Sequence, residues 1–252
     1  MIKLENTEVL GWEHAIRGMR NPKNSWDRSD SGYCENINVR FDNTITNTTW
    51  ATGPNDHKLM MNLSAGGPVH AKYRRMIAVY VDITAPLYWW KEFDTYKVGT
   101  VANSCSTMHK IHDKEFTLED FSCEHLLSAD DPGAEYDYWV QVRDYDNAND
   151  TMAAELVEAS LEHMKLTVEV LNTYRHRFLK TKNKKYWWQM IQLLPSSYNQ
   201  KRTVMLNYEV LAGIYPMRKN HKLDEWHVFC EWIESLPYSE IIIGEKKENK
   251  NE

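Results

Sequence analysis

Alternation of apolar and polar residues gives the clearest strand signal in the chain. In MIAVYVDI (76–83) aliphatic residues recur at every second position, which predicts a β-strand with one buried face. These aliphatic residues are Ile77, Val79, Val81 and Ile83. The opening segment IKLENTEV (2–9) suits a second, short strand. Both predicted strands lie in the first third of the chain.

Helical periodicity dominates the second half. From Met152 onward, apolar residues recur at spacings of three, four or seven, which predicts a long amphipathic helix buried along one stripe. The stripe consists of Ala153, Val157, Leu161, Met164, Val168, Leu171 and Phe178. Asn183 breaks the pattern before a second helix, KKYWWQMIQLL (184–194), which Pro195 ends.

Further helices complete the predicted set. Two follow at about 203–215 and 222–235, separated near Pro216. Three earlier ones are DHKLMMNLSA (56–65), a helix at Trp12–Met19, and LYWWKEFDTYKVG (87–99) after a turn at Ala85-Pro86. Strands early and helices late predict an α+β fold.

Polar composition predicts where regular structure is absent. Residues 21–56 are rich in Asn, Asp, Ser, Thr and Gly and are interpreted as a long loop or lid. Residues 111–150 are acidic and loop-rich around a short helix after Thr117. We therefore predict one domain over 1–240, followed by a disordered tail at 241–252.

Composition and charge restrict the class of protein. The 252 residues are 42% hydrophobic and 26% charged, which is ordinary for a globular protein. No apolar run reaches the length of a membrane span, and the N-terminal segment has no secretory pattern, so a cytoplasmic protein without a membrane partner is expected. The net charge of −6 argues against broad coating of nucleic acid, and no nucleic-acid partner is predicted, although a local basic pocket for a nucleotide is compatible with this charge.

The cysteines and histidines raise the question of a metal. The four cysteines contain no Cys-x-x-Cys pair, and reduced thiols are expected. The possible zinc ligands His109, His112, Cys123 and His125 lie close together, but the Cys-x-His spacing suits zinc poorly. Scattered histidines are favoured, and no metal is predicted.

The segment 76–109 resembles the flavin-dependent thymidylate synthases. That family has a strand, a turn like Ala85-Pro86, a helix with a Gln, and the signature R-H-R-x-x-S-x-N-x-x-S-x-R. A gapless alignment places Glu92 at the Gln. The signature positions then hold Thr95, Tyr96 and Lys97 in place of R-H-R, Thr100 and Cys105 in place of the serines, and Thr107 in place of the last Arg. Ser104 and Ser106 flank the second serine position.

Two further segments support the resemblance. In the family, an Asn follows a Leu-Pro by twelve residues and an Arg follows that Asn by eleven. Pro195, Asn207 and Arg218 reproduce these intervals. The segment LDEWHVFCEWI (223–233) keeps only the apolar rhythm of the family's last helix.

The resemblance implies a fold, ligands and site residues. It implies a small antiparallel sheet with long helices, a homotetramer, FAD as cofactor, and a pyrimidine deoxynucleotide as ligand. One-carbon transfer to dUMP from a folate is the family's reaction, and it needs no protein nucleophile, so no catalytic residue is assigned. The implied cofactor-binding residues are Tyr96, Asn103 and Asn207. The implied substrate-binding residues are Lys97, Thr100, Ser104, Ser106, Arg202 and Arg218.

Each assignment has a structural alternative. Tyr96 can be a core residue, Lys97 a surface lysine, Asn207 a helix cap and Arg218 a helix C-terminus. At the level of the protein, a flavin-dependent enzyme acting on dUMP competes with a noncatalytic nucleotide-binding or interaction protein, and with an unrelated α+β protein. The literal Arg-His-Arg at 175–177 lacks the serines that follow the signature and is interpreted as the end of the long helix.

Overall fold

The computed structural model describes residues 2–40, 43–128, 130–131, 136–143 and 151–244. They form two compact units. The sheet unit comprises Ile2–Thr84, Lys91–Ser104 and the chain from Lys201 onward, and the helical unit comprises Ala85–Trp90 and Cys105–Gln200. Both helices and strands occur, which confirms the α+β prediction.

The strands and helices are as follows. The strands are β1 (Lys3–Leu10), β2 (Gly32–Arg40), β3 (Asn43–Ala51), β4 (Ala78–Pro86), β5 (Val101–Ser104), β6 (Tyr136–Arg143), β7 (Thr151–Glu158) and β8 (Asn199–Asn207). The α-helices are α1 (Trp12–Arg20), α2 (Pro54–Ala65), α3 (Leu87–Phe93), α4 (Thr107–Lys110), α5 (Ser160–Thr181), α6 (Lys184–Leu193), α7 (Tyr208–Arg218), α8 (Asp224–Ser235) and α9 (Glu240–Ile243). Short 3-10 helices lie at Asn21–Lys23, Trp26–Arg28, Lys72–Met76 and Leu118–Asp120.

A four-stranded sheet organises the sheet unit, with the strand order β1-β4-β8-β5. β4 pairs antiparallel with β1, and β5 pairs antiparallel with β8, with Val101 opposite Met205. The alternation predicted for β4 is confirmed, because Val79, Val81 and Ile83 are all buried. Buried apolar residues of α7 and α8 complete the core of this unit: Tyr208, Leu211, Ile214, Trp226, Phe229 and Ile233.

The helical unit has a separate core. α5 and α6 enclose the buried residues Ile111, Phe116, Phe121, Val168, Leu171 and Met190. The side chain of Asn172 fixes the approaching loop, since it accepts from the Phe116 amide at 2.9 Å and donates to the Phe116 carbonyl at 2.9 Å. Thr117 and Asp120 form a capping box at the short helix predicted after Thr117.

The interpretation of residues 21–56 as a long loop is wrong. Asn21–Lys23 and Trp26–Arg28 are helical turns, and β2 and β3 form a hairpin that pairs from Gly32 opposite Ala51 to Arg40 opposite Asn43. Ile37 and Val39 alternate with polar residues in β2, but β3 is rich in Thr and Asn and holds only Ile45 and Trp50 as large apolar residues, so the strand signal is weak. Backbone pairing and β-branched threonines support the hairpin instead.

Three other boundaries differ from prediction. The long helix begins at Ser160, because Thr151–Glu158 forms strand β7 and pairs with β6. This pairing is a nonlocal interaction, and the helical periodicity of the sequence gives no sign of it. The helix predicted from about 203 begins at Tyr208, since the residues before it belong to β8. Pro216 lies inside α7 near its C-terminal end and does not separate two helices.

The prediction that a disordered tail begins at residue 241 is wrong for the first residues of that tail. Ile241 and Ile242 lie in α9 and are buried, because two apolar residues at the end of the fold cover the core rather than remain in water. Residues 245–252 lie outside the described part of the chain. Across the described ranges, no helix combines the length and apolar character that crossing a bilayer requires.

Candidate functional site

The segment between α3 and β5 packs against the start of α7. Thr95 Oγ1 donates to the Glu92 carbonyl at 2.7 Å and closes the end of α3. Gly99 then adopts a left-handed φ of +78° that leads the chain into β5. A Cβ at Gly99 would lie 3.1 Å from Asn207 Nδ2 and 3.1 Å from a methyl carbon of Val210. The segment that resembles the family signature therefore lies directly beside Asn207.

Asn207 caps a helix with its side-chain oxygen, which leaves its Nδ2 group for another contact. Its Oδ1 accepts a hydrogen bond from the Val210 amide at 3.0 Å, which caps α7. This bond fixes the orientation of the side-chain amide, so its Nδ2 group lies beside Gly99. The capping alternative is thus observed, and it leaves a hydrogen-bond donor available.

Arg218 belongs to a compact network around Glu92. Arg218 Nη1 donates to Glu92 Oε2 at 2.6 Å, and Arg218 Nε donates to the Tyr96 hydroxyl at 2.8 Å. Trp226 Nε1 donates to the same Glu92 oxygen at 2.9 Å, and the Trp226 ring centroid lies 4.5 Å from the guanidinium carbon. His221 Nε2 lies 3.4 Å from that oxygen. The charge of Arg218 is therefore compensated within the chain, whereas Tyr96 keeps its hydroxyl hydrogen for donation.

Arg202 is engaged in a similar way. Its Nη1 donates to Asp94 Oδ1 at 2.8 Å. The Arg202 side chain is mostly buried, whereas half of the Asp94 side chain is exposed. Both arginines predicted to bind substrate thus have carboxylate partners that sequence reasoning did not identify.

Two cavities lie on either side of the segment Lys97–Thr100. The Tyr96 cavity has a volume of about 260 Å³ and is lined by Phe93, Asp94, Tyr96, Lys97, Thr100 and Ala102. The Asn207 cavity has a volume of about 350 Å³ and is lined by Arg75, Val98, Gly99, Asn207, Glu209 and Val210. Tyr96, Lys97, Thr100 and Asn207, four of the predicted site residues, are thereby brought together.

Thr100 carries an unsatisfied polar group into this region. Its hydroxyl oxygen is buried and has no hydrogen-bond partner among the residues that the structure describes. A buried hydroxyl without a partner costs about 1–3 kcal/mol, so native proteins seldom keep one without a reason. Because Thr100 also lines the Tyr96 cavity, rotation of its side chain would let the hydroxyl bond to a polar ligand atom there.

Arg75 is a candidate residue that sequence reasoning missed. In the 3-10 helix Lys72–Met76, Arg74 is buried and donates to Glu209 Oε2 at 2.8 Å, whereas Arg75 is exposed and lines the Asn207 cavity. The paired arginines directly before the most regular strand were the signal that could have found it. Lys97 is also exposed, so each cavity has one cation at its edge.

The remaining predicted residues lie less centrally. Asn103 and Ser104 are exposed on the edge strand β5, opposite Thr203 and Arg202. Ser106 belongs to the helical unit, where its Oγ accepts from the His109 amide at 3.1 Å and caps α4. Ser106 is not among the residues that line the Tyr96 cavity or the Asn207 cavity.

The Arg-His-Arg triplet and the histidines have other surroundings. The triplet lies near the end of α5, as predicted, and Arg175 Nε donates to the His112 carbonyl at 3.0 Å. The His112 ring packs edge-on against Phe178 with a centroid distance of 4.9 Å. Within the described ranges, no group of three His, Cys, Asp or Glu side chains is arranged to hold a metal.

Comparison with known proteins identifies the fold. No family model matches the sequence. No curated protein matches it either. Helicobacter pylori ThyX, a thymidylate synthase solved with FAD and dUMP, superposes with a TM-score of 0.60 at 12% identity over 96% of each chain. The UMP/dUMP methylase PolB from Streptomyces cacaoi, bound to 5-Br dUMP, superposes with a TM-score of 0.56 at 14% identity, covering 95% of this chain and 93% of PolB. The chain thus has the fold of ThyX, as the resemblance to flavin-dependent thymidylate synthases implied.

Proposed function

We propose that this protein binds a pyrimidine deoxynucleotide and a flavin at the two cavities flanking Lys97–Thr100. The observation that carries the proposal is the unsatisfied, buried hydroxyl of Thr100, a residue that also lines the Tyr96 cavity. The shared fold with ThyX, whose structure contains FAD and dUMP, supports this choice of ligands.

The Tyr96 cavity suits the nucleotide. Tyr96 and Thr100 offer two hydroxyl donors to the carbonyl or phosphate oxygens of a nucleotide. Lys97 adds a positive charge at the edge of the same cavity. Ser104 and Asn103 extend the polar surface along the exposed edge of β5.

The Asn207 cavity suits part of a flavin. Val98 and Val210 provide apolar walls for a flat ring. Asn207 Nδ2 can donate to a ring carbonyl, and Arg75 can contact an anionic group. A bound FAD would supply hydride chemistry, whereas the chain itself binds and orients the ligands.

A noncatalytic nucleotide-binding protein is the second candidate function. Glu92 and Asp94 compensate the charges of Arg218 and Arg202, so a phosphate would gain less from either arginine than from a cation without a carboxylate partner. This observation favours a protein that binds nucleotide without transferring carbon. Incubation with dUMP, FAD, methylenetetrahydrofolate and a reductant distinguishes the two, because only the enzyme would form dTMP.

The flavin and the assembly are tested on the purified protein. Titration with FAD is expected to quench flavin fluorescence, and a protein that leaves the fluorescence unchanged would contradict the cofactor assignment. A homotetramer, part of the same proposal, predicts a light-scattering mass four times that of one chain. A monomer that binds dUMP would contradict the tetramer alone.

Replacing Lys97 with alanine should weaken nucleotide binding. Loss of one charge-assisted contact is expected to cost about 1–3 kcal/mol, which raises the Kd for dUMP about 5- to 150-fold. Isothermal titration calorimetry measures this change. Lys3→Ala is the matched control, because Lys3 is an exposed lysine on β1, at the opposite edge of the sheet. Equal dUMP affinities for the two variants would show that Lys97 is a surface lysine that does not contact the nucleotide.

Replacing Thr100 with valine should have opposite effects on stability and binding. Valine has nearly the same shape but removes the unsatisfied hydroxyl, so the ligand-free protein is expected to become more stable by up to about 1 kcal/mol. The affinity for dUMP is expected to fall about fivefold or more, since the ligand loses a hydrogen bond. Urea unfolding and calorimetry measure the two effects, with Thr100→Ser as the variant that keeps the hydroxyl. A less stable Thr100→Val protein with unchanged dUMP affinity would contradict the proposal.

A further inference from the structure

The helical unit carries a strong local positive charge in an otherwise acidic chain. No Asp or Glu occurs between Glu169 and Glu209, although the net charge of the protein is −6. Six Lys or Arg residues lie between Arg175 and Lys185 within this interval. The net charge of the whole chain therefore does not describe the local charge of this segment.

These cations are interleaved with aromatic rings where α5 ends and α6 begins. We call this region the basic–aromatic surface. Its cations are Arg177, Lys182, Lys184 and Lys185, and its rings are Tyr174, Phe178, Tyr186, Trp187 and Trp188. All four cations are exposed. Trp188 is 42% exposed, which is unusual for the largest apolar side chain.

Each cation lies close to a ring. Lys185 Nζ is 4.8 Å from the centroid of Tyr186, and Lys184 Nζ is 5.6 Å from that of Trp188. The rings of Tyr174 and Tyr186 are nearly parallel, with centroids 6.4 Å apart. Positive charge is thus presented beside the exposed ring of Trp188 and the partly buried rings around it.

Helix stability does not explain the lysines of α6. Lys184 and Lys185 occupy its first turn, which contains no acidic residue. The N-terminal end of a helix carries partial positive charge, so cations there are unfavourable. Residues placed against local stability are expected where function requires them. The cations near the end of α5 suit its dipole, but those of α6 need another explanation.

The packing of α6 argues against a membrane-inserting role. Met190 is fully buried, and Trp187, Ile191 and Leu194 pack against the core of the helical unit. Trp187 Nε1 also donates to the Met108 carbonyl at 3.1 Å. A helix that binds at a lipid interface needs a wide free apolar face, whereas α6 buries most of its apolar residues and exposes Trp188 and Leu193.

We propose that the basic–aromatic surface binds single-stranded nucleic acid. The exposed lysines and arginine would contact the phosphates, and the exposed ring of Trp188 would stack on an unpaired base. Duplexes hide their bases and would gain only the phosphate contacts. This function is separate from nucleotide binding in the sheet unit.

Fluorescence anisotropy with end-labelled 20-mers of oligo(U) and oligo(dT) tests the proposal. At physiological salt the full-length protein is expected to bind both with a Kd on the order of 1–100 µM, weakening as salt rises. A 20-base-pair duplex is the comparison and should bind more weakly. An oligo(U) preference over oligo(dT) would assign RNA as the ligand, and the reverse would assign DNA.

A charge reversal separates function from folding. The double variant Lys184→Glu/Lys185→Glu should raise Tm by about 2–4 °C, because the new charges suit the helix dipole. The same variant should lose at least tenfold in affinity and lower the salt slope by about 1.4, for two lost phosphate contacts. Lys3→Glu/Lys58→Glu, which reverses two exposed lysines of the sheet unit, should bind like the wild type.

Trp188 tests stacking. Trp188→Ala should weaken binding to single strands about 5- to 100-fold with an unchanged salt slope. Trp26→Ala is the control, since Trp26 is 49% exposed in the sheet unit. Equal binding of duplex and single strand, equal affinities for all variants, or binding only to vesicles containing 30% phosphatidylserine would each overturn the proposal.

Discussion

Replacement of Asp56 by alanine is expected to lower the free energy of unfolding by about 3–5 kcal/mol. Asp56 is fully buried, and its Oδ1 accepts from Arg20 Nε at 2.6 Å. Its Oδ2 accepts from the hydroxyls of Ser29 and Ser31, each at 2.7 Å, and from the Asp30 amide at 3.1 Å. Alanine would leave the buried guanidinium of Arg20 without a carboxylate and several donors unsatisfied.

Urea unfolding measures this loss, and two variants show its origin. Asp27→Ala removes an exposed carboxylate from the same segment and should change stability by less than about 0.5 kcal/mol. Arg20→Met/Asp56→Leu removes both charges and should recover part of the loss, because no unpaired buried charge remains. A loss below about 1 kcal/mol for Asp56→Ala would show that water reaches Arg20.

The same cluster predicts how stability depends on pH. Burial raises the pKa of Asp56, but hydrogen bonds from Ser29, Ser31 and Arg20 outweigh it and hold the pKa below its ordinary value. A lowered folded pKa means that the stabilisation is complete above about pH 4 and is lost as the pH falls through the folded pKa. The difference in stability between wild type and Asp56→Asn should therefore be constant near neutral pH and shrink in acid.

The sequence predicted the fold where one element carries its own signal. The alternation in β4 and the periodicity from Leu161 to Phe178 were sufficient, because each buries a face that its own residues define. In the β2–β3 hairpin the alternation is short, at Ile37 and Val39 of β2, and lies in a segment whose Asn and Thr content suggested a loop. Threonine favours strands and asparagine disfavours them, so the pairing of the two backbones was not evident from the composition.

The candidate site was predictable only in outline. The spacing shared with the family indicated that the Tyr96 segment lies near Asn207, and the close approach of Gly99 to Asn207 agrees with this. The carboxylate partner of Arg218 was not predictable, because Glu92 is 126 residues away and its position depends on the packing of α3, α7 and α8. The sequence places charges along the chain, but the tertiary fold decides which of them cancel.

Replacement of Gly11 by alanine should cost more than about 3 kcal/mol, for two reasons. Gly11 precedes α1 with a left-handed φ of +95°, and its carbonyl accepts from the Ala15 amide at 2.9 Å. An added Cβ would lie 2.2 Å from the carbonyl oxygen of Met76, which is backbone and cannot turn away as a side chain can. The start of α1 or the chain entering β4 would have to move.

A second glycine separates the clash from the backbone strain. Gly67 has a similar φ of +85°, but an added Cβ there would meet no atom within 4 Å. Gly67→Ala should therefore cost only the conformational penalty, about 1–2 kcal/mol. Thermal and urea unfolding of both variants give the comparison. Equal losses would mean that the Met76 carbonyl yields easily, whereas a loss at Gly11 larger by about 2 kcal/mol would locate the constraint in the contact between the two backbones.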